Sequence, residues 1–143
     1  MAVQAWHIMQ EKISVTPDTS TQEIAHMIIS SGLPAIPVVS ETMDLLGMVT
    51  EHAILGAIRQ GLDLQEITAA SLMIKTPIIA DVTASPDDLI HLMMVHNCCS
   101  VIAIMNRGKY AGAVSRHMLI DVYTSPRYAR FAQDDSKSPF VCL

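Results

Sequence analysis

Charged and aromatic residues are both scarce in this sequence of 143 residues. Aromatic residues make up 4% of the chain and charged residues 16%, whereas 50% of the residues are hydrophobic. Soluble domains carry about 25% charged residues on average, so the composition argues against a disordered chain and predicts a well-filled core. No stretch of about 18 residues is free of charges and turn residues, so we expect no membrane-spanning helix. The N-terminal MAVQAWHIMQEKISV also lacks the basic and apolar segments of a secretory signal.

Cysteine is rare as well. The three cysteines include the neighbours Cys98 and Cys99, which could bridge only with strain, so we expect reduced thiols, no metal site and a cytoplasmic protein. The net charge of −5 argues against a nucleic-acid partner. This charge is unevenly distributed. Residues 1–71 hold 2 basic and 8 acidic side chains, a net charge of −6, whereas residues 72–143 hold 7 basic and 6 acidic side chains, a net charge of +1.

The sequence contains an internal repeat. Residues 24–55 (IAHMIISSGLPAIPVVSETMDLLGMVTEHAIL) align without a gap with residues 89–120 (LIHLMMVHNCCSVIAIMNRGKYAGAVSRHMLI), at an offset of 65 residues. The register extends through the turns and pairs Gly47 with Gly112. A period of this length indicates two copies of one supersecondary unit.

Each copy is predicted to fold in the order β-α-β-β-α. In the first copy the elements are a strand at 13–15, a helix between the cap Ser20 and Gly32, strands at 35–39 and 45–50, and a helix from Glu51 to about Gln60. The second copy repeats the order, with a helix after Ser85, strands at 100–105 and 110–115, and a helix from Arg116 to Tyr123. Residues 62–71 are predicted to be a short helical connector, and the polar tail from Ser125 is expected to be loosely held.

One copy of about 50 residues buries too little apolar surface to be stable alone. We therefore predict an α/β (α+β) fold in which two tandem β-α-β-β-α motifs pack sheet to sheet about a pseudo-twofold axis. The predicted boundaries are 5–62 for motif 1, 63–71 for the connector, 72–124 for motif 2 and 125–143 for the C-terminal tail. Clefts between the motifs are then the expected ligand sites.

This pattern resembles the cystathionine-β-synthase (CBS) domain family. The resemblance is carried by the lead-ins IM (8–9) and LM (72–73), by the helix followed by GLPAIPVV, and by LGMVTEHAIL (46–55) and AGAVSRHMLID (111–121). It covers roughly residues 5–123 in two tandem copies, the arrangement known as a Bateman module. It implies a stand-alone regulatory module without enzyme activity, which senses an adenine nucleoside or nucleotide between the motifs and signals to a separate effector protein.

Two positions where a strand meets a helix are candidate anion sites. Thr50 and Ser115 stand where backbone N–H groups and the helix dipole attract a phosphate, although each is equally an ordinary N-cap. Arg116 favours a phosphate beside Ser115, whereas Glu51 repels one beside Thr50, so the second copy is the expected phosphate site. His117 is a further candidate donor there. The resemblance implies AMP, ADP, ATP or a related adenosyl ligand, and no required cofactor.

The resemblance also implies which residues would lie against the adenine. These are Ile13, Val15, Pro34, Ala35 and Pro37 in the first copy, and Ile78, Ala80, Ser100, Val101 and Ile102 in the second. One departure matters: Ala53 and Met118 stand where the family usually has a ribose-binding Asp, and Asp121 is a candidate substitute. Losing the hydrogen bond between this Asp and the ribose hydroxyls lowers the affinity for the ligand by about one to two decades. A ligand-free dimerisation or docking module is therefore the alternative function.

Apolar helix faces predict a homodimer. The helices that close the two copies carry Ile54, Leu55 and Ile58, and Met118, Leu119 and Val122. One copy of the chain leaves part of these faces uncovered, and a second copy is the simplest partner that would cover them.

Overall fold

A computed structural model describes residues 2–97 and 99–131 and shows a mixed α+β fold. Its elements are α1 (Ala5–Ile8), β1 (Gln10–Glu11), α2 (Thr21–Ser31), β2 (Ala35–Val39), β3 (Leu45–Thr50), α3 (Glu51–Arg59), α4 (Ala69–Leu72), β4 (Ile79–Asp81), α5 (Pro86–Val95), β5 (Val101–Asn106), β6 (Lys109–Ser115), α6 (Arg116–Thr124) and a 3₁₀ helix (Pro126–Phe131). None of the helices in these two ranges is long and apolar enough to cross a bilayer.

The ends of the helices follow the predicted capping residues. Ser20 Oγ accepts a hydrogen bond from the Glu23 N–H at 3.2 Å, and Gly32 ends α2 with a left-handed φ of 77°. Ser85 and Asp88 form a complete capping box at the start of α5, because each side chain accepts from the backbone N–H of the other. The local sequence thus sets where these helices begin and end.

The described chain forms two compact units. Unit 1 contains the described parts of 2–11, 78–106 and 111–131, and unit 2 contains 12–77 and 107–110. The sheet of unit 1 has the strand order β1-β6-β5-β4. Strand β1 is antiparallel to β6, with Gln10 opposite Ala113, and β4 is parallel to β5.

The sheet of unit 2 has the same strand order, but isolated bridges replace its two outer strands. Strands β2 and β3 make an antiparallel hairpin. Ile74 bridges Met48 on one side of it and Val15 bridges Val38 in parallel on the other. The predicted strand at 13–15 is therefore a single bridge, because the chain turns immediately after it, where the Thr19 N–H bonds back to the Thr16 carbonyl. The repeat seen in the sequence is a repeat of sheet topology.

The IM and LM pairs lie in two longer segments, residues 2–11 and 69–74, which we call the lead-in segments. These segments are exchanged between the repeats. The first precedes the first repeat in the chain but packs in unit 1, which holds the second repeat. The second precedes the second repeat but packs in unit 2, where the Met48 and Ile74 backbones bond reciprocally at 3.0 and 2.8 Å. The units thus divide the chain by contacts and not by repeats, and the motif boundaries given above stay a prediction.

The core of unit 1 is closed by both of its terminal segments. Val3 and Ile8 from the N-terminal segment pack in one cluster with Leu89, Val122 and Tyr128. Tyr128 belongs to the 3₁₀ helix and is 7% exposed, so the expectation of a loosely held tail is wrong at this residue. The aromatic ring adds buried apolar surface at this point, which favours the ordered conformation of the segment. The rest of the tail, 132–143, lies outside the described residues.

The connector is mostly non-helical, contrary to the prediction for 62–71. Only Ala69–Leu72 is helical. The preceding residues bond instead to the start of α2, where the Thr21 N–H and hydroxyl both donate to the Ile67 carbonyl at 2.8 and 2.9 Å. Thr21 is fully buried, so this long-range bond outweighs the local helical preference of the segment.

Two glycines at equivalent repeat positions lie under the lead-ins. A Cβ atom on Gly112 would stand 2.7 Å from Met9 Sδ and 2.8 Å from the Gln10 carbonyl oxygen. A Cβ on Gly47 would stand 2.6 Å from the Ile74 carbonyl oxygen. Carbon atoms cannot approach backbone oxygens so closely, and the exchanged lead-ins therefore require glycine at these positions.

Gly112→Ala is expected to lower the free energy of unfolding by about 1–3 kcal/mol, the usual cost of overpacking. Gly56→Ala is the matched control. It lies in α3 with nothing within 4 Å of an added Cβ and is expected to stabilise the chain by about 0.5–1 kcal/mol. Urea unfolding followed by circular dichroism measures both. Equal effects of the two substitutions would contradict the close packing of the lead-in.

Candidate functional site

The first strand-to-helix junction is built around Thr50. Thr50 is the N-cap of α3, and its Oγ1 accepts a hydrogen bond from the Ala53 N–H at 3.1 Å. The Glu51 N–H donates to the Pro34 carbonyl at 3.0 Å, which ties the start of α3 to the start of β2. Thr50 is partly exposed, and Glu51 and His52 are exposed. The predicted N-cap role is confirmed, and the hydroxyl proton of Thr50 can still be donated to a ligand.

The second junction differs in the burial of its hydroxyl. Ser115 is 2% exposed, and its Oγ lies 3.5 Å from His117 Nδ1. Met118 Sδ lies 3.5 Å from the Ser115 backbone nitrogen. Arg116 and His117 are exposed. The polar side chains that solvent reaches at this junction are therefore those of Arg116 and His117, and not that of Ser115.

The two positions that lack the expected carboxylate are occupied in different ways. Ala53 contributes only its N–H, to the cap. Met118 brings a thioether, a weak acceptor, to the place from which an acidic side chain would reach back to the cap residue. Asp121, the candidate substitute, pairs with Arg127 at 2.6 Å. Its carboxylate thus already has a cationic partner, and its role as a substitute for the missing group stays a prediction.

The adenine candidates of the first repeat all lie in unit 2. The Val15 N–H donates to the Pro37 carbonyl at 3.0 Å, so the two parts of the predicted site are adjacent. Ile13 and Pro34 are partly exposed, whereas Val15, Ala35 and Pro37 are buried. The exposed members are the ones that a ligand can reach directly, and their contact with adenine stays a prediction.

The candidates of the second repeat are brought together in the same way in unit 1. The Ala103 N–H donates to the Ile78 carbonyl at 3.0 Å, which places the first strand of the repeat beside β5. Ile78, Ala80 and Ser100 are partly exposed. Val101 and Ile102 are buried, and Ile102 belongs to the core cluster. The predicted adenine contacts of this repeat are likewise untested.

Arg116 lies along a groove that the sequence analysis missed. The groove, about 380 Å³ in volume, runs between α5 and α6 and is lined by Ile90, Met93, Met94, Arg116, Leu119, Ile120, Tyr123 and Thr124. The signal was present in the sequence, because Arg116, Ile120 and Tyr123 follow one helix face at spacings of four and three residues.

The residues expected in a dimer interface divide into two groups. Ile54, Leu119 and Val122 are 6%, 3% and 0% exposed and belong to the cores of their units, while Met118 is partly exposed. Leu55 and Ile58 are 64% and 54% exposed. Only exposed apolar residues of this kind can add surface to an interface between copies.

Cysteine and metal chemistry have little support in the described residues. Burial raises the pKa of the Cys99 thiol above its usual value, which disfavours the reactive thiolate. No group of three or more His, Cys, Asp or Glu in 2–97 and 99–131 is arranged to hold a metal ion. Cys98 lies outside the described residues.

Comparison with solved structures finds similar folds. Hypoxic Response Protein I, solved with two coordinated zinc ions, is 22% identical with a TM-score of 0.71, covering 82% of this chain and 97% of that one. CBSX2 in complex with AMP is 17% identical with a TM-score of 0.69, and the match covers 83% of this chain and 94% of CBSX2. The CBS domain of the bacterial CNNM/CorC family Mg²⁺ transporter in complex with ATP is 16% identical with a TM-score of 0.67. The match covers 83% of this chain and 85% of that domain. No curated protein matches the sequence.

The family comparison identifies both repeats. The sequence profile of the CBS domain matches residues 5–60 and again residues 69–125, which together make up most of the chain. The two matches correspond to the two copies that the alignment at an offset of 65 revealed, and they indicate no catalytic family. The chain therefore belongs to the CBS domain family and carries a tandem pair of these domains.

Proposed function

We propose that this CBS pair is a cytoplasmic regulatory module that binds an adenine nucleoside or nucleotide and passes the signal to a separate effector protein. The observation that carries the proposal is the tandem family match. Structures with the same fold hold AMP in CBSX2 and ATP in the CNNM/CorC domain. The module itself performs no chemistry in this proposal, and the sparse cysteines favour a reducing compartment.

The two junctions support a ligand of this class. At Thr50 a partly exposed hydroxyl stands at the N-terminus of α3, and at Ser115 the exposed Arg116 and His117 stand at the N-terminus of α6. Cationic and hydroxyl groups at a helix N-terminus favour phosphate oxygens. Glu51 adds a negative charge to the first junction, so we propose that a phosphate binds at the second.

A docking module without a ligand is the second candidate function. One observation favours it: Ala53 and Met118 leave both junctions without the ribose-binding carboxylate, and Asp121 is paired with Arg127. A wild-type chain that shows no thermal shift with any adenine nucleoside or nucleotide, yet sediments as a stable dimer, would establish this second function in place of the first.

Arg116→Ala is expected to weaken ATP binding about tenfold or more and AMP binding less. A charge-assisted hydrogen bond contributes about 1.5–3 kcal/mol, and ATP offers more phosphate oxygens to the guanidinium. Isothermal calorimetry at neutral pH measures the change. Arg59→Ala is the matched control, since Arg59 is an exposed cation at the end of α3. Equal heats for wild type and Arg116→Ala would show that Arg116 does not bind the phosphate. Arg116 would then be only a lining residue of the α5–α6 groove.

Met118→Asp is expected to raise the affinity for AMP by about ten- to a hundredfold. The substitution supplies the carboxylate that the family resemblance places against the ribose hydroxyls, with a bond of about 1.5–3 kcal/mol. Met118→Leu keeps the volume without the charge and is expected to bind as wild type does. Calorimetry of the three proteins decides: a Met118→Asp variant that binds no more tightly than Met118→Leu means that the ribose does not lie there.

We also propose that the module is a homodimer. Leu55 on α3 and Ile120 on α6 are 64% and 62% exposed, and they are equivalent positions of the repeat. Leu55→Asp and Ile120→Asp are each expected to convert the dimer to monomers at micromolar concentration, because the interface would bury an unpaired charge. Ile74→Asp, at a half-exposed position on a lead-in, is the control and leaves the dimer intact. Sedimentation velocity measures all four proteins. A wild-type monomer would contradict the proposal.

A further inference from the structure

One methionine of each lead-in segment lies directly on the glycine of the strand that the segment covers. A Cβ atom on Gly112 would stand 2.7 Å from Met9 Sδ and 2.9 Å from Met9 Cγ. A Cβ atom on Gly47 would stand 2.8 Å and 2.9 Å from the same two atoms of Met73. Met9 and Gly112 belong to unit 1, and Met73 and Gly47 belong to unit 2. In each unit a thioether therefore fills the space that a side chain on the glycine would occupy.

These two thioethers combine close packing with access from solvent. Met9 and Met73 are both partly exposed, so a small oxidant in solution can reach them. Met9 also packs against the core cluster of unit 1. A leucine would fill a similar volume, but only the thioether sulfur of methionine can take up an oxygen atom.

An oxygen atom added to either sulfur would meet an unfavourable environment. A sulfoxide oxygen is a strong hydrogen-bond acceptor, and the polar atoms closest to the two glycines are acceptors as well. The Gln10 carbonyl oxygen lies 2.8 Å from the Cβ position of Gly112, and the Ile74 carbonyl oxygen lies 2.6 Å from that of Gly47. Two acceptors repel each other, and a polar group without a donor is costly in a packed site.

We propose that Met9 and Met73 are paired sites of reversible oxidation, at which a sulfoxide releases the lead-in segment from its sheet. In the forward step a sulfur lone pair attacks hydrogen peroxide, so that an S–O bond forms, the O–O bond breaks and water leaves. The sulfur loses the two electrons that the peroxide gains. Methionine sulfoxide reductases reverse the step with two thiols, which become a disulfide while the oxygen leaves as water. This inference goes beyond the proposed function and does not depend on a bound ligand.

Two backbone hydrogen bonds report on the two segments separately. The Ala5 N–H of the first lead-in segment donates to the Ala84 carbonyl at 2.8 Å. The Ile74 N–H of the second donates to the Met48 carbonyl at 2.8 Å. Such bonds protect an amide from exchange with solvent until the segment opens locally. Faster hydrogen exchange at Ala5 or Ile74 thus measures the release of the corresponding segment.

The test is hydrogen exchange of the full chain by NMR, before and after treatment with hydrogen peroxide. Peptide mass mapping establishes when Met9 and Met73 have each gained one oxygen atom. Exchange at Ala5 and Ile74 is then expected to be about ten- to a hundredfold faster, which corresponds to the cost of an unsatisfied polar group in a packed site. Treatment with methionine sulfoxide reductases and dithiothreitol is expected to restore the slow exchange.

Leucine substitutions assign the effect to individual sulfurs. Met9→Leu is expected to keep exchange at Ala5 slow in peroxide while exchange at Ile74 still accelerates, and Met73→Leu is expected to do the reverse. Met94→Leu is the matched control, because it removes a thioether that is 76% exposed on α5. This variant is expected to respond to peroxide as the wild type does.

The remaining results contradict the proposal. Unchanged exchange at both amides after full oxidation of Met9 and Met73 means that a sulfoxide is tolerated beside the glycines. Oxidation of Met94 that leaves Met9 and Met73 unmodified means that the oxidant does not reach them. Acceleration that persists in the double variant Met9→Leu/Met73→Leu assigns the opening to another residue. Acceleration that the reductases do not reverse removes the reversible character of the site.

Discussion

The structure depends on an exchange of short segments between two similar halves of the chain. Each sheet is completed by a lead-in that precedes the other repeat: Gln10 and Glu11 pair with β6 in unit 1, and Ile74 pairs with β3 in unit 2. The exchange brings backbone oxygens against Gly112 and Gly47, and it adds Val3, Ala5 and Ile8 to the core of unit 1. Neither repeat is therefore complete by its own contiguous sequence.

Local features of the fold were predictable because local residues determine them. The cap at Ser20, the capping box at Ser85 and the strands of the β2–β3 hairpin were all evident from the spacing of polar, apolar and turn residues. The exchange was not predicted, although the alignment of Gly47 with Gly112 was the available signal. A glycine in a strand indicates a close approach, but the sequence does not say which segment approaches.

The misjudged segments share one physical cause. The connector bonds to α2 through Thr21 instead of forming a helix, and Tyr128 holds the start of the tail in the core of unit 1. Both outcomes are decided by partners far away in the sequence, which propensity and periodicity do not describe. The two strand-to-helix junctions were predictable from the sequence and their ligand role stays a prediction, whereas the burial of Ser115 and the position of Arg116 along a groove depend on tertiary packing.

The proposed regulation and the proposed assembly meet at α6. Its first residues, Arg116 and His117, are the exposed polar groups of the second junction, and its outer face carries Ile120 and Tyr123 along the groove. One helix thus connects a candidate ligand site with a candidate interface. Native mass spectrometry of the full chain with AMP and ATP added tests this account most directly. The account predicts the mass of two chains with adenosyl ligand bound, whereas a ligand-free single chain at micromolar concentration would contradict it.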